Sequence, residues 1–366
     1  MKIAILGTRG LPPRYGGFET LADELGRGLA AKGHFVTVYG RSTEAQPKKH
    51  HISENLMAIR SVTLPGQAFE SISSGISSTL HAVFVSRPDV VLICNPANVW
   101  SAKLLHAANI PTILHMAGLE HTRIKWRGLG GAVLHSAIKT AVKSKITLLT
   151  DSRAVAKWYK TNFNRELNVI SYGSRAPALP QTEFDTFEGI DSEYDLVVAR
   201  WESDTQVAEI ISAHGEASAN QLVIVGESRN RGSKYARLVV EAAAKHPNAI
   251  ILGPVWDQEI LDSLWSNCQV YIHGHRTGGT NPALLRGSAA GVEVLHHDNP
   301  FNNEVTAENG WAWKDLVELQ KLLTEQPWKQ SPRNKLLSKH VSSNYQWQQI
   351  VDQYEELFME LKSKEE

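Results

Sequence analysis

Between Tyr271 and Glu304 the chain carries two alternating histidines, His273 and His275, then Gly278-Gly279-Thr280-Asn281-Pro282, Arg286, and His296-His297 ahead of Asp298-Asn299-Pro300. Val270 to His273 reads as a short strand, Arg276 to Asn281 as a glycine-rich turn, and Ala283 to Ala290 as a helix with Pro282 at its start and Gly291 at its end. Such a junction aims backbone N–H groups and the positive end of a helix dipole at one point, which suits a phosphate or diphosphate. A buried strand followed by an ordinary turn accounts for the same residues without a ligand. A second glycine-rich stretch, Gly7-Thr8-Arg9-Gly10 to Gly16-Gly17, follows the apolar run Lys2 to Gly7. A third group, Arg123-Ile124-Lys125-Trp126-Arg127, mixes cations with an indole and suits an acceptor phosphate beside a stacked sugar. Nucleic acid is disfavoured, because no basic stripe with interleaved aromatics recurs. The four histidines have no cysteine or carboxylate at a usual ligand spacing, so no metal site is expected.

These residues need elements to hold them. From Phe18 the pattern turns helical, with Phe18, Leu21, Ala22, Leu25 and Leu29 on one face and Gly33 as a stop, and Phe35 to Tyr39 is the next strand. That β-α-β unit places its long glycine loop where open parallel sheets bind ligands. The dinucleotide fingerprint G-x-G-x-x-G is absent and the second strand ends in Gly40-Arg41 rather than an acid, which disfavours NAD. An NADP oxidoreductase using Arg41 is a remote alternative. Strands follow at Val90 to Cys94, Thr112 to Met116 and Ile146 to Thr150, with helices at Ala97 to Ala108, Gly131 to Lys143 and Arg153 to Phe163. Leu167 to Gly173 closes the half. Ser174 to Tyr194, acidic and carrying Pro177 and Pro180, reads as a linker. The alternation restarts with strands at Asp195 to Arg200, Leu222 to Gly226, Ile250 to Gly253, Val270 to His273 and Glu293 to Leu295. The final helix carries Trp347, Ile350, Val351, Tyr354, Leu357, Phe358 and Leu361 as one apolar stripe. Two doubly wound halves, an α/β class, are implied.

The chain has 366 residues, 42% apolar and 21% charged, enough for two domains at about 150 residues each. Cys94 and Cys268 lie far apart in apolar runs, so a disulfide framework is not expected. With no leader pattern and no long apolar run, the sequence reads as cytoplasmic. The net charge of zero hides a split: Met1 to Pro180 has 22 Lys and Arg against 10 Asp and Glu, net +12, and the remainder 16 against 28, net −12. Either the halves attract each other, or the basic half faces an anionic partner such as a lipid surface or a phosphate-bearing acceptor.

The run Ile5-Leu6-Gly7-Thr8-Arg9-Gly10-Leu11-Pro12-Pro13-Arg14-Tyr15-Gly16-Gly17-Phe18-Glu19-Thr20 resembles the start of a family 4 glycosyltransferase of GT-B fold, in its bacterial rhamnosyltransferase-like branch. Further matches are Gly118-Leu119-Glu120 with Arg123, Lys125 and Trp126, Val198-Ala199-Arg200, the His273 to Pro282 segment and Asp298 to Asn302. The resemblance implies two Rossmann-like domains facing a cleft with a C-terminal helix bridging them. The corresponding ranges are residues 1–176 on the acceptor side, 177–194 as linker, 195–340 for the nucleotide-sugar and 341–366 as crossover helix.

The resemblance also implies a retaining transfer of a sugar, such as rhamnose, from a nucleoside diphosphate donor to a glycan or lipid-linked acceptor in cell-surface polysaccharide synthesis. No cofactor or metal is implied, and peripheral contact with the inner face of the membrane is an expectation. Donor binding would involve Gly16, Gly17, Arg200, Gly226, His275, Gly278, Gly279, Thr280, Asn281 and Arg286. Catalysis would involve His115, Glu120 and Arg200, and the acceptor would meet Arg123, Lys125, Trp126 and Arg127. Against the branch pattern, Ala117 replaces an aspartate, Arg286 a ribose-holding glutamate and His121 a tryptophan, while Thr205-Gln206 occupy the region of a lysine. Those departures leave a second reading: a catalytically degenerate transferase serving as a binding or partner subunit.

Overall fold

The structure is a computed structural model and describes residues 1–13, 16–41, 49–64, 67–119, 129–177, 189–228, 230 and 232–364. Two compact units divide the chain, one of Met1–Gly173 with Trp347–Glu366 and one of Ser174–Gln346.

The first unit begins with β1 (Lys2–Leu6), α1 (Gly17–Ala31) and β2 (Phe35–Arg41), followed by β3 (Lys49–Ser53) and β4 (Leu56–Ser61). Next come α2 (Gln67–His81), a π-helical turn at Ala82–Ser86, β5 (Val90–Cys94), α3 (Val99–Ala107) and β6 (Thr112–His115). The unit's first pass ends with α4 (Leu129–Val142), β7 (Thr147–Thr150), α5 (Arg153–Phe163) and β8 (Asn168–Val169). The eight strands lie in the order β3-β4-β2-β1-β5-β6-β7-β8, parallel except for the β3–β4 hairpin. β5 is buried along its whole length, because a parallel strand covered by helices on both faces must be apolar throughout rather than alternating. Right-handed crossovers put α1 on one face, where the order runs leftward, and α2, α3 and α4 on the other. Accordingly α2 packs beside α3 and α3 beside α4.

The second unit contains β9 (Tyr194–Val198), α6 (Val207–Ala217), β10 (Gln221–Val225), α7 (Lys234–Lys245), β11 (Ala249–Gly253), α8 (Gln258–Asn267) and β12 (Val270–His273). It continues with α9 (Pro282–Ala289), β13 (Glu293–His297), α10 (Pro300–Thr306), β14 (Trp311–Trp313), α11 (Leu316–Glu325) and α12 (Asn334–Asn344). Its six strands are all parallel, in the order β11-β10-β9-β12-β13-β14. Val197, Ile211, Ile224, Ile272, Leu295 and Trp313 meet in its core. A buried pair crosses that core: His214 Nε2 of α6 lies 2.9 Å from Asp195 Oδ2 of β9.

The last helix, α13 (Trp347–Ser363), returns to the first unit and packs on α1 and β5. Its apolar stripe buries Trp347, Ile350, Val351, Tyr354 and Phe358. A Cβ on Gly28 of α1 would stand 2.5 Å from Val351 Cγ2, so the glycine sets the approach of the two helices. Lys32 bonds Asp352 at 2.6 Å and also pairs with Glu355, whose other oxygen meets His34 Nε2 at 2.6 Å. The boundary drawn at residue 341 falls at Trp347, because α12 runs on to Asn344 and belongs with the second unit. The sequence reading also did not foresee the β3–β4 hairpin, α2 or β14.

Candidate functional site

In each unit the strand order reverses direction once, between β1 and β5 and between β9 and β12, and open α/β sheets bind ligands outside the carboxyl ends of the strands flanking such a point. Of the sequence-predicted residues of the second unit, Arg200 follows β9 and His275 to Asn281 follow β12, beside that point, whereas Gly226 follows β10 and Arg286 lies within α9. Arg200 stands two residues beyond β9, half-buried, its Nη1 3.5 Å from Glu202 Oε1. Its carbonyl accepts a hydrogen bond from the Thr205 hydroxyl at 2.7 Å, which tightens the turn that follows. Gly226, at the end of β10, has φ 131°, and a Cβ there would lie 2.0 Å from the Ala199 carbonyl oxygen. Its role is the close passage of two strand ends; any larger residue would push Arg200 away.

The loop after β12 is fastened from three sides. Gln206, itself left-handed at φ 56°, donates from Nε2 to the Gly274 carbonyl at 2.8 Å. Asn299 and Asn302 donate from their side-chain amides to the His275 carbonyl at 2.9 and 3.0 Å, and Asn302 also reaches the His297 carbonyl at 2.8 Å. The Arg276 N–H is given to the Asp204 carbonyl at 2.9 Å. Gly278 has φ 153° and Thr280 is buried. A loop held this way keeps its polar groups oriented before a ligand arrives, the condition under which fixed dipoles act strongly.

The helix start contributes less than the sequence suggests. Pro282 has no N–H, and the Ala283 N–H is taken by Asn281 Oδ1 at 2.9 Å, so the first turn of α9 is largely capped by its own residues. Arg286 is turned to α8: Nη1 donates to Gln258 Oε1 at 3.0 Å and Nη2 pairs with the Asp262 carboxylate. Its charge is therefore answered within the protein.

His275 stacks on His273, ring centroids 4.4 Å apart and planes nearly parallel. His273 is fully buried, with Nδ1 2.8 Å from the Tyr271 hydroxyl and burial holding it well below the usual imidazole range. His296 is pushed down to about 4 by burial. The stacked rings of His273 and His275 pack the end of β12 against its following loop. Among the described residues no group of three His, Cys, Asp or Glu side chains is placed to hold a metal ion.

Sequence reasoning missed the cavity beside this cluster. About 440 Å³ opens at the carboxyl ends of β10 and β11, lined by Trp201, Glu227, Arg237, Glu241, Gly253 and Pro254. The Trp201 indole N–H is buried without a partner among the described residues. The signal was present, since Trp201 directly follows Arg200 in the turn after β9, and a buried indole usually gives its N–H to a partner.

In the first unit, Gly16 (φ 114°) caps α1, with Gly17 as the first helical residue. A Cβ on Gly16 would lie 2.3 Å from Glu19 Oε2, and Glu19 Oε1 accepts the Arg9 N–H at 3.1 Å. The turn thus holds a buried carboxylate against the positive end of α1. His115, at the end of β6, is fully buried between Phe18 and Tyr172, with ring centroids 5.0 and 6.4 Å away. Its Nδ1 accepts the Ala117 N–H at 3.0 Å, which places the imidazole proton on Nε2, and burial lowers its pKa to about 3. At neutral pH it is an uncharged donor inside the unit. Ala117 is left-handed at φ 58°, a conformation that Asn and Asp tolerate better than alanine. Glu120, His121, Arg123, Lys125, Trp126 and Arg127 lie outside the described residues.

The sequence profile described as Glycosyltransferase Family 4 matches residues 15–173. No curated protein sequence matches the chain. Among solved structures it is similar to the sucrose-phosphate synthase of Thermosynechococcus elongatus, at TM-score 0.82 and 16% identity over 99% of both chains. It is also similar to Anabaena HepE in complex with UDP and glucose, at TM-score 0.75 and 15% identity over 98% of this chain and 100% of that one. The α,α-trehalose-phosphate synthase (UDP-forming) of Burkholderia vietnamiensis matches at TM-score 0.75 and 9% identity, covering 99% and 97%. At these identities the likeness is one of fold: two parallel α/β sheets arranged along the chain as in GT-B glycosyltransferase structures.

Proposed function

We propose that the chain is a glycosyltransferase that moves a sugar from a nucleoside diphosphate donor to a glycan or lipid-linked acceptor, with retention and without a metal. The observation that carries the reading is the second unit's switch point between β9 and β12, where Arg200 and the fastened loop Gly274 to Asn281 follow the two strand ends, with the Trp201 cavity on the β10–β11 side of Arg200. The base would enter the cavity against Trp201, and the diphosphate would meet the Arg200 guanidinium. When the anomeric carbon parts from the diphosphate, negative charge grows on the departing oxygen and Arg200 answers it, an interaction stronger in the transition state than before it. Gly278, Gly279 and Thr280 would hold the sugar. The first unit would take the acceptor, for which the buried Glu19 carboxylate suits hydroxyls better than a second phosphate. Rhamnose as the sugar, and cell-surface polysaccharide as the product, rest on the resemblance of the opening motif.

A second reading, a degenerate transferase that binds but turns over slowly, is favoured by one observation: Arg286 stands where a carboxylate would hold ribose, and its charge goes to Asp262. A guanidinium cannot accept from ribose hydroxyls. The test is donor hydrolysis and transfer by the native chain, by Ala117→Asp, and by the exchanged pair Asp262→Arg with Arg286→Glu. Arg286→Glu alone would set two carboxylates face to face, so the exchange keeps the α8–α9 pair. Slow native turnover raised tenfold or more when Ala117→Asp is joined to the exchanged pair supports the degenerate reading; ordinary native turnover, unimproved by the exchange, supports the active one.

A further inference from the structure

The outer layer of the first unit formed by α2, the π-helical turn, α3 and α4 has a surface unlike the rest of that unit. Ile76, Leu80 and Phe84 fall at successive i, i+4 positions and are all exposed, Phe84 at 69%. On the neighbouring α3, Trp100 (59% exposed) and Leu104 repeat the i, i+4 spacing, and on α4 Val133 is 61% exposed. Residues so spaced share one side of a helix, and α2, α3 and α4 are consecutive neighbours on one face of the sheet. Three neighbouring helices thus each present exposed apolar side chains to solvent, a grouping that single scattered residues do not produce.

Charge says what covers it. Neither α3 nor α4 contains an acidic residue, and α2 has one, Glu70, in its first turn. Lys103, Lys139 and Lys143 are exposed on α3, α4 and the residue just beyond it, and the Lys103 ammonium lies 5.0 Å over the Trp100 ring. Exposed aliphatic and aromatic side chains fringed by cations, with Glu70 as the single acid of the three helices, match an anionic lipid surface, which receives the apolar groups below its headgroups and the ammonium groups among its phosphates. A protein partner selected by the same side chains would need no such scarcity of acids. The geometry points to this layer as the face by which the chain lies on an anionic membrane. No helix among the described residues is long and apolar enough to cross one, so the contact is peripheral.

The test is sedimentation of the full chain with vesicles of phosphatidylcholine alone or with 30% phosphatidylglycerol, at low and high salt. Binding is expected to the anionic vesicles, weakened by salt. Lys103→Gln with Lys139→Gln and Lys143→Gln should lower the partition coefficient by roughly a hundredfold, about fivefold per cation. Phe84→Ser with Trp100→Ser and Leu104→Ser, all solvent-exposed and so expected to keep the native melting temperature, should abolish it, while Val317→Ser and Leu336→Ser in the second unit should change nothing. Equal affinity for both vesicle types, or full binding by the serine variant with its fold intact, overturns the proposal. A concentration-dependent dimer lost in the serine variant, with no vesicle binding, replaces the membrane by a second copy of the chain.

Discussion

His115 shows how far burial moves a residue from the chemistry its type suggests. An imidazole at the end of a strand is a natural proton carrier, yet here it is enclosed by Phe18 and Tyr172 and neutral down to about pH 3. Its effect is on stability. The unfolded chain gains a proton near pH 6.5, whereas the native state does not until about 3. Between those values the unfolded state holds more protons, so stability rises with pH across the window and falls as the solution is acidified through it. His115→Asn should flatten the pH dependence of the urea midpoint between about pH 3 and 6.5. An unchanged slope would mean that the imidazole is reached by water. The same residue marks a limit of sequence reading: its place at a strand end was legible from the alternation, but Phe18 and Tyr172 come from positions distant in the chain. Arg286 is similar. Its helix was legible from Pro282 and Gly291, and its partner Asp262 was not, because the pair depends on the rotation of α8 against α9.

At the scale of elements, periodicity located what is buried and missed what is not. The strands β1, β5 and β12, apolar but for Lys2 at the start of β1 and His273 at the end of β12, and the helix Arg153–Phe163, stand where apolar runs and a Ser152 cap placed them. The hairpin β3–β4 escaped because β3 is exposed and polar, so no alternation betrays it. β14 has only three residues, too few for a period. The stripe on α13 declared that it must be buried, while its seat on α1 depends on Gly28, whose reason is visible only with Val351 beside it. Gly28→Val should overfill that contact and destabilise the first unit by about 1–3 kcal/mol. Thermal unfolding of the variant checks this, and an unchanged midpoint would show that the two helices have room to part. The α1–α13 contact also carries an acid-sensitive lock. The hydrogen bond from Lys32, and then that of His34, holds Glu355 below the usual carboxylate range. Its contribution is therefore complete above about pH 4.3 and lost as the pH falls through the lower native value.

For the whole molecule, one scheme is used twice: a parallel sheet whose strand order turns back once, with glycine loops at the turning point. The composition that separates the halves, +12 against −12, is legible in the sequence, and the structure adds where part of the positive charge lies, on α3 and α4 beside exposed apolar groups. The functional claim rests on the second unit. The measurement that tests it most directly is thermal unfolding of the native chain and of Arg200→Ala against a panel of nucleoside diphosphates and their sugars. A ligand that binds only the native state at a hundred times its Kd stabilises by about 2.7 kcal/mol, so at least one nucleoside diphosphate sugar should raise the native midpoint by several degrees. Arg200→Ala should retain the native midpoint without ligand and lose most of that shift, since an Arg–phosphate contact is bidentate and charge-assisted. No shift with any member of the panel, or the same shift in Arg200→Ala as in the native chain, would contradict the placement of a donor diphosphate at Arg200.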